Sequence, residues 1–156
     1  MSIGDLRDLY QEVILDHGRH PRNLRRIDDA NRRARGNNPL CGDRITVYLK
    51  VGADGVVEDA AFEGRGCAIS TASASMMTEV IRGKTRDEVD ALFDAFHSMC
   101  TRDEAPGADP ALADDMERLQ VLAGVRGYPM RVKCATLAWH AMEAAMAGEP
   151  EVTTES

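Results

Sequence analysis

Three cysteines and one aspartate are placed where this chain turns sharply: Cys41-Gly42-Asp43, Gly66-Cys67 and Lys133-Cys134. Three soft thiolates and one hard carboxylate can complete a four-coordinate metal site from residues far apart in sequence. Zinc takes sulfur at about 2.3 Å and carboxylate oxygen at about 2.0–2.2 Å, usually as a tetrahedron. A structural zinc site more typically closes with a fourth Cys or a His. A carboxylate in that place points to a site that must exchange a ligand.

The elements around these residues must bring them together. Gly42 gives the backbone freedom to aim Cys41 and Asp43 at one ion. Cys67 follows Gly64 and Gly66 at the mouth of an expected helix, and Cys134 is expected to open the last helix. Helix N-termini favour anions and lower thiol pKa values. Three thiolates, one carboxylate and a doubly charged zinc leave negative charge in excess, so cations are needed nearby. Arg131 and Lys133 flank Cys134, and Arg126 is a further candidate. The competing reading is that free cysteines are small buried apolar residues. It is strong for any one of them and weaker for three at loop–helix junctions; on spacing alone both readings stand. Cys100 ends a helical stretch after His97-Ser98-Met99 and is expected to be a bystander.

A chain of 156 residues is long enough for one domain with one sizeable core, expected over 1–150 with a disordered tail at 151–156. Apolar content of 44% and charged content of 29% describe a soluble globular chain. With only 4% aromatics, the core must be built from Leu, Val, Ile, Met and Ala. The net charge of −7 argues against general nucleic-acid binding, which needs a basic surface. Asp5, Arg7 and Asp8 stand where a secretory signal needs an apolar run, and no stretch is apolar enough to span a membrane. A cytoplasmic location is expected. There, four cysteines suggest metal or reactive thiols rather than a disulfide framework.

Leu6, Leu9, Tyr10, Val13 and Ile14 share one face of an expected N-terminal helix ended by Gly18 and Pro21. An arginine-rich connector follows over 19–35, with a third strand expected within 30–37. Ile45, Val47, Leu49 and Val51 alternate with Arg44, Thr46, Tyr48 and Lys50, a half-buried strand. A turn at 52–55 returns the chain as a strand over 56–63 with Phe62 inward. A small-residue helix is expected over 68–82, stopped by Gly83. Thr85 and Glu88 form a capping box for the next helix, whose core residues are Val89, Leu92, Phe93 and Phe96. A surface loop is expected at 101–109. Asp109-Pro110 then starts a helix with Leu112, Met116 and Leu119 inside. A loop over 124–133 precedes a last helix after Cys134, containing Leu137, Ala138, Trp139, Met142 and Met146. The fold class is α+β: a small antiparallel sheet of about three strands with helices packed on one face.

The arginine-rich segment reads as a solvated basic face or a partner surface. His17 and His20 read as capping or hydrogen-bonding residues. His140 lies too far along its helix from Cys134 to share a site. The methionines at helical spacing are core filling.

Four pieces of the chain together resemble a known family. They are His20-Pro21-Arg22-Asn23, the run from Asn37 to Asp43 (Asn-Asn-Pro-Leu-Cys-Gly-Asp), the run from Gly64 to Ser70 (Gly-Arg-Gly-Cys-Ala-Ile-Ser), and the run from Arg131 to Trp139 (Arg-Val-Lys-Cys-Ala-Thr-Leu-Ala-Trp). The chain resembles the IscU-like iron–sulfur assembly proteins from its first helix to about Met146, and more closely their SufU branch. Two departures from the IscU pattern point to that branch: Lys133 stands where IscU-like scaffolds carry histidine, and an extra stretch within 96–120 lengthens the path between the second and third cysteines. A chaperone-binding Leu-Pro-Pro-Val-Lys sequence is missing.

The resemblance implies an IscU/NifU-N-like fold and a zinc-dependent sulfurtransferase. Zinc would be held by Cys41, Asp43, Cys67 and Cys134. A SufS-type cysteine desulfurase would supply persulfide sulfur to Cys41, for use by downstream iron–sulfur assembly proteins. Arg126 is assigned, from charge, to stabilise the freed Cys41. The alternative is a scaffold holding a transient [2Fe–2S] cluster on the same ligands.

Overall fold

A computed structural model describes the backbone of residues 3–39, 42–101, 112–125, 128–149 and 151–153, and the side chains of those within 11–149. Alternating apolar residues make the sheet. Strands β1 (Arg32–Asn38), β2 (Asp43–Val51) and β3 (Val57–Arg65) form an antiparallel meander, and a short β4 (Glu151–Thr153) adds in parallel beside β1. The spatial order is β3-β2-β1-β4. The three expected strands are present. The fourth occupies part of the expected tail, where it pairs the backbone of β1 that would otherwise be an open edge.

The period of two sorts the sheet residues onto two faces. Ala34, Ile45, Val47, Leu49, Ala60 and Phe62 turn inward and are buried. Asp43, paired with Asn38 at the end of the ladder, lies on that same inner face. Arg33, Arg35, Arg44, Thr46, Lys50 and Arg65 are on the outer face. There the 24–31 segment covers Tyr48 and Ala61 with Ile27 and Ala30.

Helices cover the inner face. They are α1 (Ile3–Arg19), α2 (Ala68–Ile81), α3 (Arg86–Thr101), α4 (Ala113–Leu119) and α5 (Pro129–Met146), with a 3-10 turn at Gln120–Val125 before α5. Helix α1 runs through Gly18, one residue past the expected stop. Gly83, at φ 79°, takes the left-handed conformation that ends α2. The Thr85–Glu88 capping box forms, with Glu88 N–H donating to Thr85 Oγ1 and Thr85 N–H to Glu88 Oε1. Thr101 belongs to α3 rather than to a loop, and the expected start at 109–110 lies outside the described residues; α4 is helical from Ala113.

Two contacts fix the helices that matter most. Gly36 lets α5 touch β1, since a Cβ there would lie 3.1 Å from Ala141 Cβ and 3.3 Å from the Leu137 carbonyl oxygen. Between α2 and α5, the Ser73 hydroxyl donates to the Ala135 carbonyl at 2.5 Å and accepts from Trp139 Nε1 at 3.1 Å. The Ser73 hydroxyl and the Trp139 indole N–H are thereby satisfied in that apolar seam. Trp139 is fully buried and stacks on Phe96 with centroids 4.3 Å apart. Among the described residues, no helix is long and apolar enough to cross a membrane.

Candidate metal centre

The sheet end, the start of α2 and the second turn of α5 converge on one point. There Asp43, Cys67 and Cys134 bring a carboxylate oxygen and two sulfurs within 4.8 Å of one another. Among the described residues, this is the one such group of His, Cys, Asp or Glu side chains. Asp43 arrives by strand alternation: it takes the inward position, and its neighbour Arg44 the outward one. Cys67 is the N-cap of α2, with extended backbone, and its Sγ accepts from Ser70 N–H at 3.5 Å. Cys134 does not open a helix. Pro129 occupies the first turn of α5, where its missing N–H is harmless, so the helix begins five residues before Cys134. The thiol therefore owes nothing to a helix N-terminus.

Ser70 joins the group, a residue that metal-ligand spacing does not mark. It is fully buried, and its hydroxyl donates to Asp43 Oδ2 at 2.5 Å while standing 3.6 Å from Cys67 Sγ. The signal that could have found it is its place three residues after an N-cap, where a polar side chain reaches back. Gly66 packs directly on this pair: a Cβ there would lie 2.7 Å from Ser70 Cβ and 3.5 Å from Asp43 Cγ.

The electrostatics call for a cation. Asp43 and Cys134 are 6% and 7% exposed, while Cys67 is exposed. A hydrogen bond from the Cys134 thiol is the largest influence bringing Cys67 down to about 5, with the Ser70 N–H and hydroxyl adding to it and burial opposing. Cys134 is pushed up, first by that same shared hydrogen bond, then by burial and by the charges of Cys67 and Asp43. Of the two thiols, only one ionises while the carboxylate stands beside them. A divalent cation removes that conflict. The spacing fits as well: tetrahedral zinc needs its donor atoms about 3.8 Å apart, an inward movement of about 1 Å or less per side chain. The donor set therefore suits zinc.

Cys41 and Arg126 lie outside the described residues. Arg131, expected to balance charge at Cys134, instead stacks its guanidinium 4.8 Å from the Tyr128 ring centroid. Lys133 is half-buried beside Cys134. Cys100 is buried in the core away from the centre, as expected of a bystander. His17 bonds through Nδ1 to Ser75 Oγ at 2.8 Å, matching its expected hydrogen-bonding part. His140 instead meets His97 and Phe93 between α5 and α3.

The family model for the NifU-like N terminal domain matches residues 9–135. The zinc-dependent sulfurtransferase SufU of Bacillus subtilis is 43% identical over 145 residues, covering 93% of this chain and 94% of that protein. The iron–sulfur cluster assembly scaffold protein IscU of Streptococcus pyogenes is 40% identical over 146 residues, 94% of this chain and 87% of that one. Among solved structures, an iron–sulfur cluster assembly scaffold protein for the SUF system from Fervidobacterium islandicum superposes with a TM-score of 0.73 at 32% identity, covering 86% of this chain and 94% of that chain.

Proposed function

Since the chain belongs to the NifU-like N-terminal domain family of iron–sulfur cluster assembly proteins, we propose that it is a zinc-dependent sulfurtransferase that accepts persulfide sulfur from a SufS-type cysteine desulfurase. The observation that carries this reading is the convergence of Asp43, Cys67 and Cys134 within 4.8 Å. With Cys41, two residues before Asp43, they supply the three thiolates and one carboxylate that would hold the ion. Bound zinc supplies charge that keeps thiolates deprotonated at neutral pH without redox chemistry of its own.

The acceptor is Cys41. Gly42, at φ 77°, donates its N–H to the Asn38 carbonyl at 2.9 Å. Consecutive Cα atoms are 3.8 Å apart, so the chain keeps the Cys41 Cα within about 7–8 Å of that of Asp43. The Cys41 thiolate attacks the outer sulfur of the partner's cysteine persulfide. The sulfur–sulfur bond breaks, the partner's cysteine leaves as a thiolate, and Cys41 becomes the persulfide. Asp43, Cys67 and Cys134 stay in place as ligands. Arg126, next to the 3-10 turn before α5, stabilises the free Cys41 thiolate by its charge. The persulfide then passes to downstream iron–sulfur assembly proteins in the cytoplasm.

A second reading rests on the scaffold names among the relatives: the same thiolates hold a [2Fe–2S] cluster as cargo. Elemental analysis of protein purified without added metal separates zinc from iron. The deciding experiment is mass spectrometry after incubation with a SufS-type desulfurase and cysteine. The expected result is a gain of one sulfur on Cys41, abolished in Cys41→Ala. Wild-type desulfurase stimulation by Cys41→Ala would end the acceptor assignment.

A further inference from the structure

The outer face of the sheet carries a concentration of positive charge that the metal centre does not use. Arg33 and Arg35 lie two residues apart on β1, opposite Tyr48 and Thr46. One row nearer the metal centre, Arg44 and Arg65 are direct cross-strand partners. Like charges directly opposite one another are destabilising in a sheet, yet here two guanidinium groups share one face. Among the described residues, none of Arg33, Arg44 and Arg65 has a carboxylate partner.

Three carboxylates on this face are committed elsewhere. Glu63 takes Arg26 at 3.3 Å and the Tyr48 hydroxyl, Asp29 takes Lys50 at 2.5 Å, and Asp59 takes Arg25 and Arg82. Asp28 also lines the groove that the 24–31 segment forms with the sheet, a cleft of about 900 Å³ walled by Arg26, Arg32, Arg33 and Arg35.

We propose that this face docks an acidic protein partner, which lays an extended segment with carboxylates at alternate positions across Arg33, Arg35 and the Arg44–Arg65 pair. The spacing is the first argument. Residues i and i+2 of a strand are about 6.6–6.8 Å apart on one face. An extended peptide with acidic residues at every second position repeats the Arg33–Arg35 step along β1, and its next acidic residue falls in the row of Asn37, where Arg44 is the neighbour on β2 and Arg65 lies beyond it on β3. Charge is the second. With a net charge of −7, the protein repels polyanions at long range, whereas a short acidic segment needs only the local field. The third is the missing stacking platform. Tyr48, the aromatic residue of the groove, is 3% exposed with its hydroxyl bonded to Glu63, and single-stranded nucleic acid binding relies on exposed aromatic faces. Arg44 follows the ligand Asp43 and Arg65 precedes Cys67 by two residues, so a partner held here sits beside the metal centre without covering the inner face. This inference does not depend on the sulfur-transfer reading.

The test uses the full chain and a labelled heptapeptide alternating Glu and Thr. The comparison ligands are a peptide of the same composition with its Glu residues in one block, an oligothymidine of matching charge, anionic phosphatidylserine vesicles and inorganic phosphate. At low salt, the alternating peptide is expected to bind more tightly than every comparison. Arg33→Ser/Arg35→Ser is expected to weaken it about tenfold, Arg44→Ser by less, and Arg86→Ser on α3 not at all. Amide shifts in NMR are expected at 33–37, 44–48 and 61–65. Arg33, Arg35 and Arg44 are all exposed, and the single Arg44→Ser variant decides the matter if the double variant misfolds. Equal binding by the variants overturns the proposal, as does tighter binding of oligothymidine or vesicles. Full displacement of the peptide by inorganic phosphate reassigns the face to small anions and overturns it too.

Discussion

Ser70→Ala tests the candidate metal centre at the residue that ties two of its proposed ligands together. The serine is fully buried and its hydroxyl donates to Asp43 Oδ2 at 2.5 Å. Its N–H, 3.5 Å from Cys67 Sγ, survives in the variant, so the N-cap of α2 is kept; the bond to Asp43 is lost, together with the longer 3.6 Å contact to Cys67 Sγ. A hydrogen bond to a charged group contributes about 1.5–3 kcal/mol, which at about 1.4 kcal/mol per tenfold converts to a loss of about 10- to 150-fold in affinity. Removing an outer-shell partner of a metal ligand typically lowers affinity about 10- to 100-fold, and the two ranges agree. The assay is zinc competition against a fluorescent chelator at fixed pH, with thermal melting of the metal-free chain measured alongside. The expected result is zinc affinity about 10- to 100-fold weaker with a folded chain. A folded Ser70→Ala variant that holds zinc within about twofold of wild type would mean that Asp43 is positioned without the hydroxyl, and its assignment as a ligand would lose its structural support.

Three further outcomes are expected. Gly66→Ala drives a Cβ to 2.7 Å from Ser70 Cβ, so it should lower zinc affinity and reduce stability by about 1–3 kcal/mol in denaturant titration; wild-type values for both would show that the loop yields freely. Trp139→Ala, which empties the stack on Phe96 and removes the donor to Ser73, should destabilise by about 3–5 kcal/mol, and a loss below about 1 kcal/mol would contradict the packing described. Glu143→Gln probes the seam between α3 and α5. Burial, followed by the hydrogen bond and charge of Asp90, raises the Glu143 carboxyl from 4.5 to about 7. Its protonated form is favoured in the folded chain, so wild-type stability falls as pH rises from 4.5 to about 7 and levels off above. The glutamine variant should gain on wild type across that window, by about 1–2 kcal/mol after allowing for solvent screening of this half-buried group. A difference that does not change with pH in urea titrations would refute the raised Glu143 carboxyl.

The sheet and most helices were legible because their periods are strong. Ile45, Val47 and Leu49 alternate cleanly, and Thr85 with Glu88 announces the start of α3. The start of α5 is hidden in the sequence because Gly127 and Pro129 look like loop residues, whereas proline in a first turn is compatible with a helix. That shift moved Cys134 from a helix mouth into the second turn and removed the dipole as a reason for its reactivity. Strand β4 carries too few residues for periodicity to register; only a neighbour with an open edge makes it a strand. Residue type and glycine context left a metal site and buried free cysteines as open alternatives; the family resemblance named Asp43, Cys67 and Cys134 together, and the fold brings these three within 4.8 Å of one another. Ser70 was not legible, because a lone serine in a small-residue helix has no signature until its acceptor is known. Nor could the sequence pair Arg44 with Arg65, since cross-strand register is set by tertiary contacts.

The two thiols of the centre differ in how they meet the outside: Cys67 is exposed at the helix N-cap, and Cys134 is nearly sealed beneath it. The centre therefore has a front and a back. An alkylating or oxidising reagent reaches Cys67 before Cys134. Among the described residues, the packed α2–α5 seam closes the back. If the proposed sulfur relay holds, giver and receiver would meet the centre from the Cys67 side, and the order of their visits would become a property of the architecture.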